Sequence, residues 1–254
     1  MTFVYRSILA SVFLAVSAVS ASADEAISLK VGYMLLSPSG DMAAEVNGIG
    51  STVDLESDLG LDDSSNIIAE AAFSLGDVKV TLGYMPLSFE GDSILSRTII
   101  FDGEVYSAGS RVMSNLDVDI LDAGLTWYFI NVDDVPTRVQ LGVELSAKIT
   151  GVDASIDDST TGLTESVSET LPIPTIGLRG RVAFSDFVGV AGRIGYIGYS
   201  DNRFLDADVQ VEITPIPLVG LFAGYRYLDL EIDESDIYVD AQFSGFYGGA
   251  LVRF

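Results

Sequence analysis

The sequence predicts an all-β protein, an antiparallel up-and-down transmembrane β-barrel of about ten strands, with eight or twelve as the alternatives. Three observations predict it. Ten segments alternate apolar and polar side chains with a period of two, and they are joined by connections that are alternately short and long. The mean hydropathy is +0.39 although the formal charge is -24. No run of eighteen apolar residues explains that hydropathy by a helix, whereas strands with one face in lipid explain both values.

The first segment is not part of the barrel. Arg6 precedes a short apolar run from Ile8 to Val19, and Ala21-Ser22-Ala23 supplies the small residues a signal peptidase accepts, so residues 1–23 read as a removable secretory signal. That run is too short to cross a bilayer as a helix. Residues 24–254 then form one barrel domain, and the absence of cysteine suits an exported chain that forms no disulfides.

Strands are expected at Ala26 to Leu36, Ser65 to Leu75, Val78 to Phe89, Leu116 to Ile130, Thr137 to Thr150, Thr175 to Ser185, Val188 to Tyr199, Phe204 to Thr214, Val219 to Glu231 and Ile237 to Phe254. Gly76-Asp77, Asn131 to Pro136, Asp186-Phe187 and Pro215 to Leu218 are tight connections carrying turn residues. Ser37 to Ser64, Glu90 to Asn115 and Gly151 to Thr170 are long and polar. Short turns belong to the periplasmic side of such barrels, which also receives both termini when the strand count is even.

The fifth strand shows the pattern most fully. Val139, Leu141, Val143, Leu145, Ala147 and Ile149 take one face, against Arg138, Gln140, Glu144, Ser146, Lys148 and Thr150 on the other. In the eighth, Leu205, Ala207, Val209, Val211 and Ile213 oppose Asp206, Asp208, Gln210, Glu212 and Thr214. A soluble barrel also alternates, but Tyr33, Tyr84, Trp127, Phe129, Phe184 and Tyr196 lie on the apolar phase near strand ends, as interfacial girdles do. Three strands change phase. In the fourth, Leu116, Val118 and Ile120 give way to Leu121, Ala123 and Leu125; similar slips follow Tyr227 and occur near Gly245, and bulges are expected at all three. Asp102-Gly103 between Ile99-Ile100-Phe101 and Glu104-Val105-Tyr106 signals a hairpin standing above the membrane, or a twelve-stranded barrel if it crosses.

The polar phase nominates a lumen lining of Lys30, Glu70, Lys79, Asp117, Asp119, Asp122, Arg138, Glu144, Lys148, Arg179, Arg181, Arg193, Asp206, Asp208, Glu212 and Arg226. Ion pairing between these groups leaves at most a constricted pore, in which Arg179, Arg181 and Arg193 would favour anions. The acidic balance argues against nucleic acid as a partner. The chain contains no histidine, so the histidine-dependent hydrolases known among outer-membrane barrels do not fit, and neither catalysis nor a cofactor is expected. In the first long loop Asp54, Glu56, Asp58, Asp62 and Asp63 offer oxygen ligands to a divalent cation, with solvated acids as the alternative reading.

Through the export signal, the strand rhythm, Gly224-Tyr225-Arg226 and the terminal Phe254, the chain resembles the small bacterial outer-membrane barrel proteins, a grouping that includes the OmpW-like and OmpA-like barrels. Ten strands depart from the eight of those two types. The resemblance implies that Phe254 acts as the signal read by the barrel assembly machinery, and that the barrel contacts outer-membrane lipid and lipopolysaccharide. Two functions are expected from this class: a narrow passive pore or small-solute-binding barrel, and a surface-interaction barrel using its acidic loops.

Overall fold

The computed structural model describes residues 26–44, 50–101, 103–134, 137–200, 202–234 and 237–254, and the expected signal segment lies outside them. Among the described residues thirteen strands are present in chain order: β1 (Ile27–Ala44), β2 (Val53–Asp54), β3 (Ser64–Leu75), β4 (Val78–Ile94), β5 (Ile99–Phe101), β6 (Glu104–Tyr106), β7 (Arg111–Asp134), β8 (Thr137–Asp158), β9 (Leu163–Ala183), β10 (Val188–Tyr199), β11 (Asn202–Ile216), β12 (Val219–Glu234) and β13 (Ile237–Arg253). Ten of them form the barrel. Each pairs antiparallel with its neighbour in sequence order, omitting β2, β5 and β6, and β13 closes the ring on β1 from Ser28–Arg253 to Ala44–Ile237.

Period-two alternation is obeyed throughout, but the strands are longer than one bilayer requires. β7, β8 and β9 contain 24, 22 and 21 residues. An apolar outward band runs along β7 from Leu121 to Phe129, and the ten residues from Arg111 to Ile120 continue beyond it. At about 3.3 Å per residue and a tilt of about 40°, that continuation rises roughly 25 Å past the lipid-facing band. The stretch from Gly151 to Thr170, expected as a long loop, is therefore largely strand: β8 and β9 pair from Arg138–Ala183 up to Asp158–Leu163, with a turn at 159–162.

No bulge accompanies the phase changes. The β4–β7 and β7–β8 registers run without interruption through Ile120 and Leu121, and the only shift between β7 and β8 lies at Tyr128/Ile130. β12 and β13 pair continuously past Tyr227 and Gly245. The expected slips are instead real exchanges of environment. Below the level of Ile120, β7 turns Asp122 and Thr126 inward and Leu121, Leu125 and Trp127 outward; above it, Leu116, Val118 and Ile120 face in. Lipid around the lower half and water around the upper half account for this exchange, because the same alternation then places its apolar side on opposite faces.

This inversion corrects two lumen assignments. Asp117 and Asp119 point outward above the lipid band, where Asn115 Nδ2 donates to Asp117 (2.7 Å) and the Tyr84 hydroxyl donates to Asp119 (2.6 Å). The outward aromatics behave as the sequence implies: Tyr33, Tyr84, Trp127, Phe129, Phe184 and Tyr196 are all exposed. Inside the wall, glycines make room for rings. A Cβ on Gly224 would lie 2.8 Å from Cζ of Tyr247, and one on Gly32 would lie 2.9 Å from Cζ of Phe222.

The hairpin does not cross the membrane. β5 and β6 form a separate two-stranded sheet whose Ile99, Phe101 and Tyr106 are buried in the barrel's apolar interior. The first loop folds in the same way, burying Val53, Leu55, Leu59 and Leu61. Backbone bonds join the two loops to each other and to the wall: Ser51 N donates to Ile100 O (3.1 Å), Leu55 N to Gly40 O (2.9 Å) and Asp62 N to Glu90 O (2.9 Å). Together they cap the loop end of the barrel.

Candidate functional site: an apolar chamber over an ion-paired floor

The barrel interior divides into three levels, each set by which residues the inverted alternation turns inward. The turn end holds a polar vestibule, the middle a layer of buried charges, and the loop end an apolar chamber beneath the cap.

The middle layer is built by β7, β8, β9, β11 and β12, with Arg193 of β10 reaching across it. Asp206, 2% exposed, accepts from Lys148 (2.9 Å), Arg193 (3.1 Å) and Arg226 (2.8 Å). Asp122 accepts from Lys148 (2.6 Å) and Arg193 (2.8 Å), and Arg193 also donates to Asp208 (2.8 Å). Glu144 pairs with Arg179 and accepts from the Thr126 hydroxyl (2.9 Å). Tyr247 donates to Asp208 (2.9 Å). Desolvating these ions is costly, and only dense mutual pairing offsets it. The result is an occupied cross-section, a floor across the lumen.

Among the remaining lining residues nominated by sequence, Lys30, Glu70, Lys79, Arg138, Arg181 and Glu212 also face cavities inside the barrel. Glu212 is shared by Lys30 (3.7 Å), Arg181 (3.1 Å) and Arg253, which the nominated set did not include. Glu70 lines a smaller cavity of about 60 Å³, and the other groups surround the vestibule, a cavity of about 150 Å³ reaching Gly76 and Asn131 at the turn end.

Above the floor lies a cavity of about 420 Å³ whose lining is apolar except for Thr150 and Glu169. Leu116, Val118, Ile120, Phe204, Leu228 and Phe243 contribute to its walls, and Leu55 and Phe101 of the cap close over it. Phe89 and Phe243 stack with ring centroids 5.2 Å apart. Sequence reasoning missed this chamber, although its signal was visible. The apolar runs treated as slipped phase in the fourth, ninth and tenth strands are its walls.

The cap's polar groups secure it. Asp54 accepts from the backbone N–H of Ser57 (2.6 Å) and Glu56 (3.0 Å), and the Ser57 amide holds its carboxyl below the usual carboxylate range. Asp58 is buried and pairs with Arg97 of the second loop. Glu56, Asp62 and Asp63 remain on the outer side of the cap. Among the described residues no group of three or more acidic side chains is arranged to hold a metal ion, so the sequence candidates do not converge. Gly91 lets the cap lie directly on β4, since a Cβ there would collide with the Leu59 carbonyl.

Burial pushes the Tyr106 hydroxyl of the cap up from 10 to about 12, assisted by the negative charge of Glu165 and Glu104. The folded state holds that proton more tightly than the unfolded chain, so the contribution is full below about pH 10 and is lost as pH rises toward 12. Limited proteolysis should therefore begin to cut the 95–110 connection above about pH 10. Cleavage that does not change across this range would show that Tyr106 does not hold the cap.

No family model and no curated protein sequence matches the chain. Solved structures do. The outer membrane protease OmpT from Escherichia coli matches with a TM-score of 0.60 at 12% identity, covering 90% of this chain and 96% of that one. The translocator domain of the autotransporter NalP from Neisseria meningitidis matches with a TM-score of 0.44 at 12% identity over 98% and 96% of the two chains. Neisserial surface protein A matches with a TM-score of 0.40 at 13% identity over 90% and 97%. The chain thus has the fold of the outer-membrane β-barrels.

Proposed function

Taking the chain as a ten-stranded barrel of the outer-membrane class, we propose that it is a non-enzymatic outer-membrane protein, exported by a cleaved signal peptide, that binds small apolar solutes inside its outer half. The short turns then face the periplasm, and the capped chamber stands outside the bilayer. The observation that carries this reading is the apolar chamber of about 420 Å³ above a floor of ion pairs. A cavity of that size and character suits a neutral, largely hydrocarbon molecule, since a charged ligand would lose its hydration with little in the lining to replace it. Among the lining groups, Thr150 and Glu169 supply the polar contacts that would orient it.

The floor argues against a wide pore, and the chain offers no histidine as a catalytic base. Kinship of fold with a protease at 12% identity brings no catalytic residues with it. Outer-membrane lipid, lipopolysaccharide and the barrel assembly machinery, the last through Phe254, complete the set of partners this reading requires.

The test is saturable uptake of a neutral apolar fluorophore, 1-N-phenylnaphthylamine, by the folded barrel in amphipol. Ala241, 3% exposed, lies in the chamber wall, so Ala241→Trp should fill the space and weaken binding at least about tenfold. Because partition into the amphipol is the same for both proteins, the difference isolates the chamber. Equal uptake by wild type and variant, with both barrels folded, would sink the reading.

A further inference from the structure

The vestibule at the turn end carries a charge opposite to that of the chain as a whole. We propose that it is a binding site for a phosphate-sized oxyanion admitted from the periplasmic side. Seven basic side chains line it against two carboxylates, Asp208 and Glu212.

Pairing narrows this imbalance without removing it: Arg193 belongs to the carboxylates of the floor and Lys30 also reaches Glu70 (3.6 Å), so the excess rests on Lys79 and Arg179. Glu212 is a single carboxylate shared by Lys30, Arg181 and Arg253. Arg179, 9% exposed, gives its Nε to Glu144, while its buried Nη2 has no hydrogen-bond partner. Lys79 makes no ion pair within 4 Å among the described residues. These cations arrive from different parts of the wall: Lys30 from β1, Lys79 from β4, Arg179 from β9 and Arg253 from β13. Uncompensated positive charge in a confined space is unfavourable by itself, and an anion with several oxygens relieves it by accepting from more than one direction. The fork of Arg179, with one arm already committed to Glu144, has its second nitrogen left to donate. Gly76 and Asn131 in the lining place the entrance at the turn end, on the side of the floor away from the apolar chamber.

Calorimetric titration of inorganic phosphate into the folded, detergent-solubilised barrel tests the site. The expected result is binding of one phosphate per barrel that weakens between 50 and 200 mM salt, roughly as screening of close charges requires. Lys79→Met should weaken it at least about tenfold, Lys79→Arg should retain it, and Arg111→Gln, which alters the exposed pair with Asp92 far from the vestibule, should leave it unchanged. Heat-modifiable migration establishes that each variant is folded. Should Lys79→Met fail to fold, phosphate must still raise the unfolding temperature of wild type in proportion to its binding. No phosphate binding by folded wild type, or equal binding by Lys79→Met, overturns the proposal. Competition by a soluble short-chain phosphatidate would assign the phosphate to a lipid headgroup, and absence of competition would assign it to a free ion. Neither outcome depends on the apolar chamber, so this site and the solute-binding reading stand or fall separately.

Discussion

Asp206→Ala is expected to destabilise the barrel by about 3–5 kcal/mol, because it removes one partner from a buried charge network and leaves the others uncompensated. Asp206 is the acceptor common to Lys148, Arg193 and Arg226, and it is 2% exposed. Burial at that level keeps bulk water from taking the place of the lost carboxylate. The measurement is the urea midpoint for loss of heat-modifiable migration. A paired change, Asp206→Leu with Lys148→Met, should recover part of the loss, since it removes a positive charge along with the negative one and refills the space with apolar atoms. An unchanged midpoint for Asp206→Ala would mean that the floor does not contribute to the stability of the fold.

Arg193→Ala is expected to turn a silent barrel into a conducting one. In wild type the guanidinium contacts Asp122 (2.8 Å), Asp206 (3.1 Å), Asp208 (2.8 Å) and Glu144 (3.7 Å), so one side chain ties together carboxylates from β7, β8 and β11. Its removal opens volume at the centre of the floor and leaves four carboxylates, Asp122, Glu144, Asp206 and Asp208, against three cations, Lys148, Arg179 and Arg226. Planar-bilayer recordings should then show discrete steps with cation selectivity, the sign expected of an acidic constriction. Wild-type steps as large as those of the variant would show that the floor does not close the lumen.

The strands were legible because a period of two leaves a record in every segment, and the ring of ten follows once each segment pairs with the next. The polar floor was legible for the same reason. Asp122, Lys148, Arg193 and Asp206 all occupy the expected phase on strands whose opposite face is apolar. What alternation does not encode is which solvent lies on which side. Leu116, Val118 and Ile120 followed by Leu121 and Leu125 read equally as a one-residue slip or as an exchange of lipid for water outside the wall, and the pairing through Ile120–Thr150 and Leu121–Ile149 decides for exchange. The stretch after Thr150 was taken as a loop on its polar composition, although Val152, Ala154 and Ile156 continued the inward phase. Contacts such as Asp58 with Arg97 join two loops distant in sequence, and no local pattern announces them.

The point at which the two faces exchange chemistry lies at a common height on adjacent strands. On β7 and β8 it falls between Ile120–Thr150 and Leu121–Ile149, and on β12 and β13 between Leu228–Phe243 and Tyr227–Ser244. A protein marked in this way carries its own waterline. Sinking by one residue pair would draw Asp119 and Asp229 toward hydrocarbon, while rising would lift Leu121 and Tyr227 into water. A bilayer would thus hold the barrel at one depth, and that depth would keep the apolar chamber clear of the lipid outside it, so that on the proposed function a solute would exchange through the capped mouth rather than through the wall.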